Sequence, residues 1–256
     1  MAFMVKKRNL QASANPLKEA KVHFRTGIIL DVKGDWYWLT AGHILEDIDR
    51  DGFLHPTQIA EEFKLLDSFG TTVSEKQFQY IPFAFEGAWK HYEHSDKTGI
   101  DYGIVALGSL EKKALQKNNI TPIVPKLWTR LPKVKLPFLF VLGFPSDQIK
   151  PKYADTKGGF SITAKPIPTA ISMTMHEVRK AKKFRLYAKV PEEAGELDGF
   201  SGGPVFVVTD DGYEILALQS GWERPNRLAF VCPLGLIGPR IAKAIRNRTK
   251  KKSQKT

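Results

Sequence analysis

Cysteine is nearly absent from this chain, and long apolar runs are absent altogether. Cys232 is the only cysteine among 256 residues, which excludes an intrachain disulfide and every four-cysteine zinc framework. The longest purely apolar run extends only from Phe138 to Leu142, whereas a spanning helix needs about 20 residues, so we predict no transmembrane helix. The start, MAFMVKKRNLQ, lacks the apolar core of a secretory signal peptide. A single thiol and no signal peptide together favour a cytoplasmic protein.

The remaining composition is that of a folded protein. Apolar residues make up 42% and aromatic residues 11% of the chain. A chain of this length can bury a large core without metals or disulfides, as one large domain or two smaller lobes. We therefore expect no cofactor and no metal site.

Positive charge dominates, and it is concentrated at one end. The formal net charge is +12, and residues 240–256 contain eight Lys or Arg and no acid, whereas residues 45–100 contain eleven acids and five Lys or Arg. A basic tail can hold nucleic acid or another anion through phosphate contacts, so an anionic partner at the C-terminal tail is one prediction. The simpler interpretation is a solvated, frayed terminus.

Short strand-like runs separated by turn residues fill most of the chain. Residues 22–44 predict two strands and a turn, the acidic stretch 45–75 predicts one or two short helices, and Asp210-Asp211-Gly212 predicts a hairpin turn. Apolar residues at helical spacing predict an amphipathic helix near the C-terminus. The pattern indicates an all-β architecture, divided into an N-terminal arm (1–20), a first lobe (21–115), a connector (116–135), a second lobe (136–234), a helix (235–248) and a basic disordered tail (249–256).

One glycine-rich stretch has the composition of a nucleophile loop. Ser201 lies within Asp198-Gly199-Phe200-Ser201-Gly202-Gly203-Pro204, directly before an apolar strand. Small neighbours let a substrate backbone approach the serine hydroxyl. The N–H groups of Gly199 and Ser201 can point to one spot and form an oxyanion hole. The simpler alternative is a glycine-rich hairpin loop with an incidental serine.

A base and an acid for this serine are found upstream. His43 follows the small residues Ala41 and Gly42 at the end of an aromatic strand, and Asp101 opens an apolar strand where an unpaired acid would be costly. Asp96 is the alternative acid. His91 and His94, three residues apart, could ligate a metal if they lay on a helix.

The order of these residues separates the hydrolase classes. Residues 199–203 also fit the G-x-S-x-G nucleophile elbow of α/β-hydrolases, but that fold needs a histidine after the serine, and none follows His176. The subtilisin order would require Asp31 or Asp35 as the acid, and both lie at a predicted turn. The order that remains is histidine, aspartate, serine.

With these three motifs in this order, the chain resembles the trypsin/chymotrypsin-like serine peptidases of the bacterial or intracellular type. Thr40-Ala41-Gly42-His43 resembles the family's T-A-[AG]-H, and residues 199–204 resemble its G-x-S-G-G-P. The resemblance covers roughly residues 20–240. It implies two β-barrels of six strands, here with a helical insertion in the first and a C-terminal helix. It also implies an endopeptidase that cleaves polypeptides with His43, Asp101 and Ser201 as catalytic triad.

The resemblance further implies a substrate-binding region and exposes one departure. The pocket floor would lie at Gly195, beside Glu196, and its wall would be formed by Gln219, Ser220, Gly221 and Trp222. Secreted digestive members carry an aspartate before the nucleophile, which captures a newly cut N-terminus, and this chain has Phe200 there. We therefore predict activity without N-terminal processing. The alternative function is a catalytically idle module of this fold that binds through the acidic insertion or the basic tail.

Overall fold

In the computed structural model, strands are the main secondary structure of the described residues, accompanied by three α-helices. The described residues are 2–9, 21–53, 58–66, 80–124, 139–145, 152–156, 159–163, 169–209 and 212–253. The strands in the first half are β1 Ala2–Asn9, β2 Lys21–Thr26, β3 Ile28–Val32, β4 Asp35–Thr40, β5 Gln58–Leu66, β6 Tyr80–Pro82, β7 Lys90–Ser95 and β8 Ile100–Ala106. Those in the second half are β9 Leu139–Gly143, β10 Lys152–Thr156, β11 Gly159–Thr163, β12 Thr169–His176, β13 Leu186–Lys189, β14 Pro204–Thr209, β15 Gly212–Glu223 and β16 Leu228–Pro233. The helices are α1 Gly42–Phe53, α2 Ser109–Lys117 and α3 Leu234–Ser253.

The second lobe is a closed barrel of six strands. Its strand order is β12-β13-β16-β15-β14-β9, and every neighbouring pair is antiparallel. Closure leaves the barrel itself without an unpaired sheet edge, which gives a rigid support for the loops at its ends. Strands β10 and β11 form a separate two-stranded sheet. The barrel prediction is confirmed for this lobe.

The first lobe consists of two four-stranded sheets in its described part. One has the order β3-β4-β8-β7 and the other β2-β1-β5-β6, and β2 leads into β3 through Gly27 alone. Two details differ from the sequence analysis. Residues 2–9 form a strand inside a sheet rather than an arm, and the acidic insertion continues after helix α1 as strand β5, because its apolar residues pack as a strand against the aromatic core of this lobe.

Helix α3 packs against strands of both lobes. Its apolar side chains Ile237, Ile241 and Ile245 are buried in a core that also contains Leu39 from β4 and Leu218 from β15. The spacing of four residues puts these isoleucines on one helix face. The predicted C-terminal helix is thus present, and it extends through residues 249–253 of the predicted disordered tail; residues 254–256, like the predicted turn residues Asp210 and Asp211, lie outside the described residues.

No helix in the described part of the chain has the length and apolar character required to cross a membrane.

Candidate active site

The predicted base and acid form a hydrogen-bonded pair. Asp101, the second residue of β8, is only 1% exposed, and its Oδ2 lies 2.8 Å from Nδ1 of His43. Its Oδ1 accepts the backbone N–H of His43 at 2.9 Å. A carboxylate can only accept, so Nδ1 of His43 carries the proton and, in the neutral ring, Nε2 keeps a free lone pair. Both carboxylate oxygens are satisfied, which is what allows this acid to be buried.

A glycine at the start of α1 brings the two residues together. A Cβ placed on Gly42 would lie 2.5 Å from the carbonyl oxygen of Glu93 and 2.8 Å from that of Tyr102. Any side chain at this position would therefore force the first turn of α1 away from β7 and β8. Glycine permits the close approach, and His43 comes within reach of Asp101.

The alternative acid lies elsewhere. The side chain of Asp96 is 82% exposed, and its Oδ1 lies 3.5 Å from Nη2 of Arg185. It follows the end of β7 in a turn. Of the two acids considered, the structure therefore brings Asp101, and not Asp96, to the histidine.

A second histidine–carboxylate pair stands beside the first. Nδ1 of His94 lies 2.7 Å from Oε2 of Glu46, and the His94 ring meets the His43 ring edge-on at 5.8 Å between centroids. Glu46 lies three residues after His43 on α1, so both share a helix face. This spacing was a signal that the sequence analysis did not use. His91 and His94 were considered as metal ligands on a helix, but they lie on strand β7, where residues three apart point to opposite faces.

The serine loop leaves two backbone donors without partners. The N–H of Phe200 donates to Leu197 O at 3.1 Å, and the N–H of Gly202 donates to Gln219 O at 2.7 Å. Between them, the N–H groups of Gly199 and Ser201 have no acceptor among the residues that the structure describes. Gly199 has a φ of +92°, a conformation that favours glycine. An oxyanion hole requires backbone N–H groups of this kind, which are without a hydrogen-bond acceptor in the protein.

Two buried threonines join this loop to the histidine segment. Oγ1 of Thr40 donates to Thr26 O at 2.7 Å, and Oγ1 of Thr26 donates to Gly199 O at 2.6 Å. A Cβ on Gly202 would lie 2.1 Å from Thr40 Oγ1, so the loop lies directly against the end of β4. Thr40 is three residues before His43. Sequence reasoning missed Thr26, whose partner Gly199 is distant in the chain, and it named Thr40 only as part of the motif before His43.

The hydroxyl of Ser201 makes no hydrogen bond, to His43 or to any other residue within the described ranges. Next to it, Phe200 is completely buried in the core of the second lobe. A buried phenyl ring holds the backbone of the loop by packing, with no ion pair.

The predicted substrate-binding residues lie in two neighbouring segments. Gly195 is exposed at the end of a 3₁₀ turn, Glu192–Ala194. Gln219 is buried and its amide donates to Gly221 O at 2.9 Å, while Ser220 Oγ donates to Phe230 O at 3.2 Å. These bonds fix the end of β15 next to the serine loop.

Two arginines that the sequence analysis did not single out hold these segments. Nη2 of Arg227 donates to Pro191 O at 2.6 Å and to Gly195 O at 2.8 Å. Nε of Arg224 lies 3.0 Å from Oε2 of Glu196, and its Nη2 pairs with Asp198.

Asp198 has a second partner, because Nε1 of Trp222 donates to its Oδ1 at 3.4 Å. Both acids near the predicted pocket floor are thus already paired with Arg224.

Comparison with solved structures supports the fold. The chain is similar to HBP, with a TM-score of 0.55 and 11% identity over 95% of this chain and 90% of that chain. It also matches an inactive mutant form of Rv3671c from M. tuberculosis H37Rv, with a TM-score of 0.42 and 16% identity over 94% of this chain and 85% of the other. A thermostable serine protease from an extremophilic microorganism, AL20, matches with a TM-score of 0.47 and 15% identity over 93% of each chain. The sequence matches no protein-family model and no curated protein. The chain has the trypsin-like fold.

Proposed function

We propose that this protein is a serine endopeptidase with His43, Asp101 and Ser201 as its catalytic triad. The observation that carries the proposal is the hydrogen-bonded pair of His43 and the buried Asp101, together with a glycine-rich serine loop that has two unpartnered N–H groups. A histidine with a purely structural role would need neither the unpartnered N–H groups nor a serine in a glycine-rich loop.

The proposed reaction proceeds through an acyl-enzyme. Ser201 Oγ attacks the carbonyl carbon of the scissile peptide bond while Nε2 of His43 takes its proton. The N–H groups of Gly199 and Ser201 stabilise the oxyanion, and Asp101 holds the ring and stabilises its protonated form. His43 then gives the proton to the departing amine. In the second half, His43 activates a water molecule that hydrolyses the ester and regenerates Ser201.

The contact between Ser201 and His43 belongs to the substrate complex in this proposal. Catalytic hydrogen bonds are commonly long or poorly aligned without substrate and tighten when it binds. A rotation of the Ser201 side chain about χ1 is a small change, since its backbone is fixed by the bonds of Phe200 and Gly202 on either side.

We further propose a polypeptide substrate with an uncharged residue before the scissile bond. Gly195 contributes no side chain to the pocket floor, and Glu196 and Asp198 are both paired with Arg224. No unpaired carboxylate therefore remains at these positions to attract Lys or Arg. Gln219, Ser220 and Gly221 would form the wall and Trp222 its outer edge. The single buried thiol of Cys232 suits a reducing cytoplasm.

The experiment that tests this function is hydrolysis of a peptide library by the full chain and by Ser201→Ala. We expect cleavage by the full chain, mainly after uncharged residues, and no cleavage by Ser201→Ala at the same concentration. The variant should have the same melting temperature as the full chain, which shows that it is folded. Cleavage that persists unchanged in Ser201→Ala would contradict the proposed nucleophile.

One observation favours the alternative of an idle binding module, namely the unbonded hydroxyl of Ser201. Such a module would bind through the acidic insertion, or bind an anionic partner at the basic C-terminal tail. It would cleave no peptide and react with no serine-directed probe, although folded. The two functions are therefore separated by the same library.

A further inference from the structure

A cavity outside the proposed active site lies between strand β7 and helix α3. Its volume is about 240 Å³, and it is lined by His91, Glu93, Arg240, Lys243, Ala244 and Asn247. His91 and Glu93 are two residues apart on β7 and therefore share one face of the strand. His94, which contacts His43, lies on the opposite face.

The helix presents its donors on one face. Arg240, Lys243, Ala244 and Asn247 follow the i, i+3, i+4, i+7 spacing, which puts them on one side of α3. Ala244 is the small residue among them and leaves room between the longer side chains. Lys243 and Asn247 are exposed and have no hydrogen-bond or ion-pair partner among the described residues.

The one acid of the cavity is already neutralised. Nε of Arg240 lies 3.0 Å from both carboxylate oxygens of Glu93, and Tyr102 OH donates to Glu93 Oε1 at 2.6 Å. Partial burial acts to raise the pKa of Glu93, but the bonds from Arg240 and Tyr102 outweigh it and hold the pKa below its usual value. Glu93 thus orients the guanidinium of Arg240, and the positive charge of Lys243 is not compensated by any acid that lines the cavity.

From this donor set we propose that the cavity binds a phosphate group. Arginine, lysine and an asparagine amide offer N–H donors from the helix side. On the other side, Nε2 of His91 lies 3.3 Å from the Tyr102 hydroxyl, and its Nδ1 offers a further donor when the ring is protonated. A tetrahedral phosphate has acceptor oxygens in several directions and matches donors on two walls, whereas a planar carboxylate has two oxygens on one edge. Helix α3 contains no acidic residue that would oppose a bound anion.

Calorimetric titration of the full chain with inorganic phosphate, at constant ionic strength, tests this site. We expect saturable binding to one site, and about tenfold weaker binding for Lys243→Gln, which is what loss of a charged hydrogen bond costs. Asn247→Ala should weaken binding in the same direction. Arg246→Gln is the matched control: it removes the same charge from an exposed position on the same helix but does not line the cavity, and its affinity should equal that of the full chain.

Two further titrations identify the source of the phosphate. Ribose 5-phosphate presents a phosphomonoester, and a short single-stranded oligonucleotide presents phosphodiesters. If either binds more tightly than inorganic phosphate, and Lys243→Gln weakens that binding, the result supports the site and identifies the source of the phosphate. Absence of saturable phosphate binding, or equal weakening by Lys243→Gln and Arg246→Gln, overturns the proposal. These measurements require no peptidase activity, so their outcome is independent of that of the proposed function.

Discussion

The hydroxyl of Thr26 donates a hydrogen bond to the carbonyl oxygen of Gly199, 173 positions away in the sequence, at 2.6 Å. Thr26 is at the end of β2 in the first lobe, and Gly199 opens the serine loop of the second. The carbonyl of Thr26 in turn accepts Thr40 Oγ1, so one residue ties the segment before His43 to the loop before Ser201. The relative position of the proposed base, His43, and the proposed nucleophile, Ser201, therefore depends on this buried threonine.

Thr26→Val should lower kcat while changing KM little. Valine keeps the shape of threonine but removes the hydrogen-bond donor. The Gly199 carbonyl then loses this hydrogen bond, and the serine loop is no longer held in one orientation. Loss of one such positioning contact is expected to cost about tenfold in kcat. Thr26→Ser keeps the hydroxyl and should restore most of the rate. Equal kinetics for the valine and serine variants, both folded, would show that this bond does not position the loop.

Asp101→Asn should leave the protein folded and reduce turnover about ten-thousand-fold. The amide can donate to Nδ1 of His43 and thereby stabilise the tautomer whose Nε2 carries the proton, so His43 could no longer accept a proton from Ser201. The pH-independent turnover of Asp101→Asn and of Asp96→Asn, measured side by side, checks this. A larger effect at the exposed Asp96 would mean that the acid has been assigned wrongly.

Activity should not require cleavage of the N-terminus. Phe200 is buried in the apolar core of the second lobe and has no charge with which to hold a new N-terminal ammonium group. Protein that begins at Met1, confirmed by intact mass before and after the assay, should hydrolyse peptides without prior trimming. Activity that arises only after trimming would contradict this account.

The single thiol should have no part in the chemistry. Cys232 lies near the end of β16, fully buried in the core below α3, and burial raises the pKa of its thiol to about 12. The reactive thiolate is then scarce near neutral pH, so dithiothreitol and iodoacetamide should leave turnover unchanged. Cys232→Ser should lower the free energy of unfolding by about 1–3 kcal/mol, because it buries a hydroxyl. A folded Cys232→Ser without turnover would refute the serine mechanism.

The sequence contains local signals for the candidate site. The residues around His43, Asp101 and Ser201 carry their signals in short strings, and the strand patterns around them predict a fold that the structure confirms. The segment that forms strand β5 was predicted as helix. Its apolar residues are loosely spaced between acids and fit neither the helical nor the strand period well. Only the pairing with β1 and β6 identifies it as a strand.

Contacts between distant segments could not be predicted in this way. Thr26 is an ordinary strand residue in the sequence, and only folding places its hydroxyl against the serine loop. The cavity between β7 and α3 is a similar case, since Glu93 and Arg240 are 147 positions apart and each alone is an ordinary charged residue in the sequence. Arg227 is recognisable as an anchor only through the two carbonyl groups that its Nη2 contacts.

The most direct test of the central claim is covalent labelling with a fluorophosphonate, followed by peptide mapping of the modified residue. Only a serine activated by a base and beside an oxyanion hole reacts readily with this probe. We predict one equivalent of label on the full chain, located on Ser201, and none on folded Ser201→Ala or His43→Ala. Folded wild-type protein that takes up no label, or label on a different residue, would contradict the account.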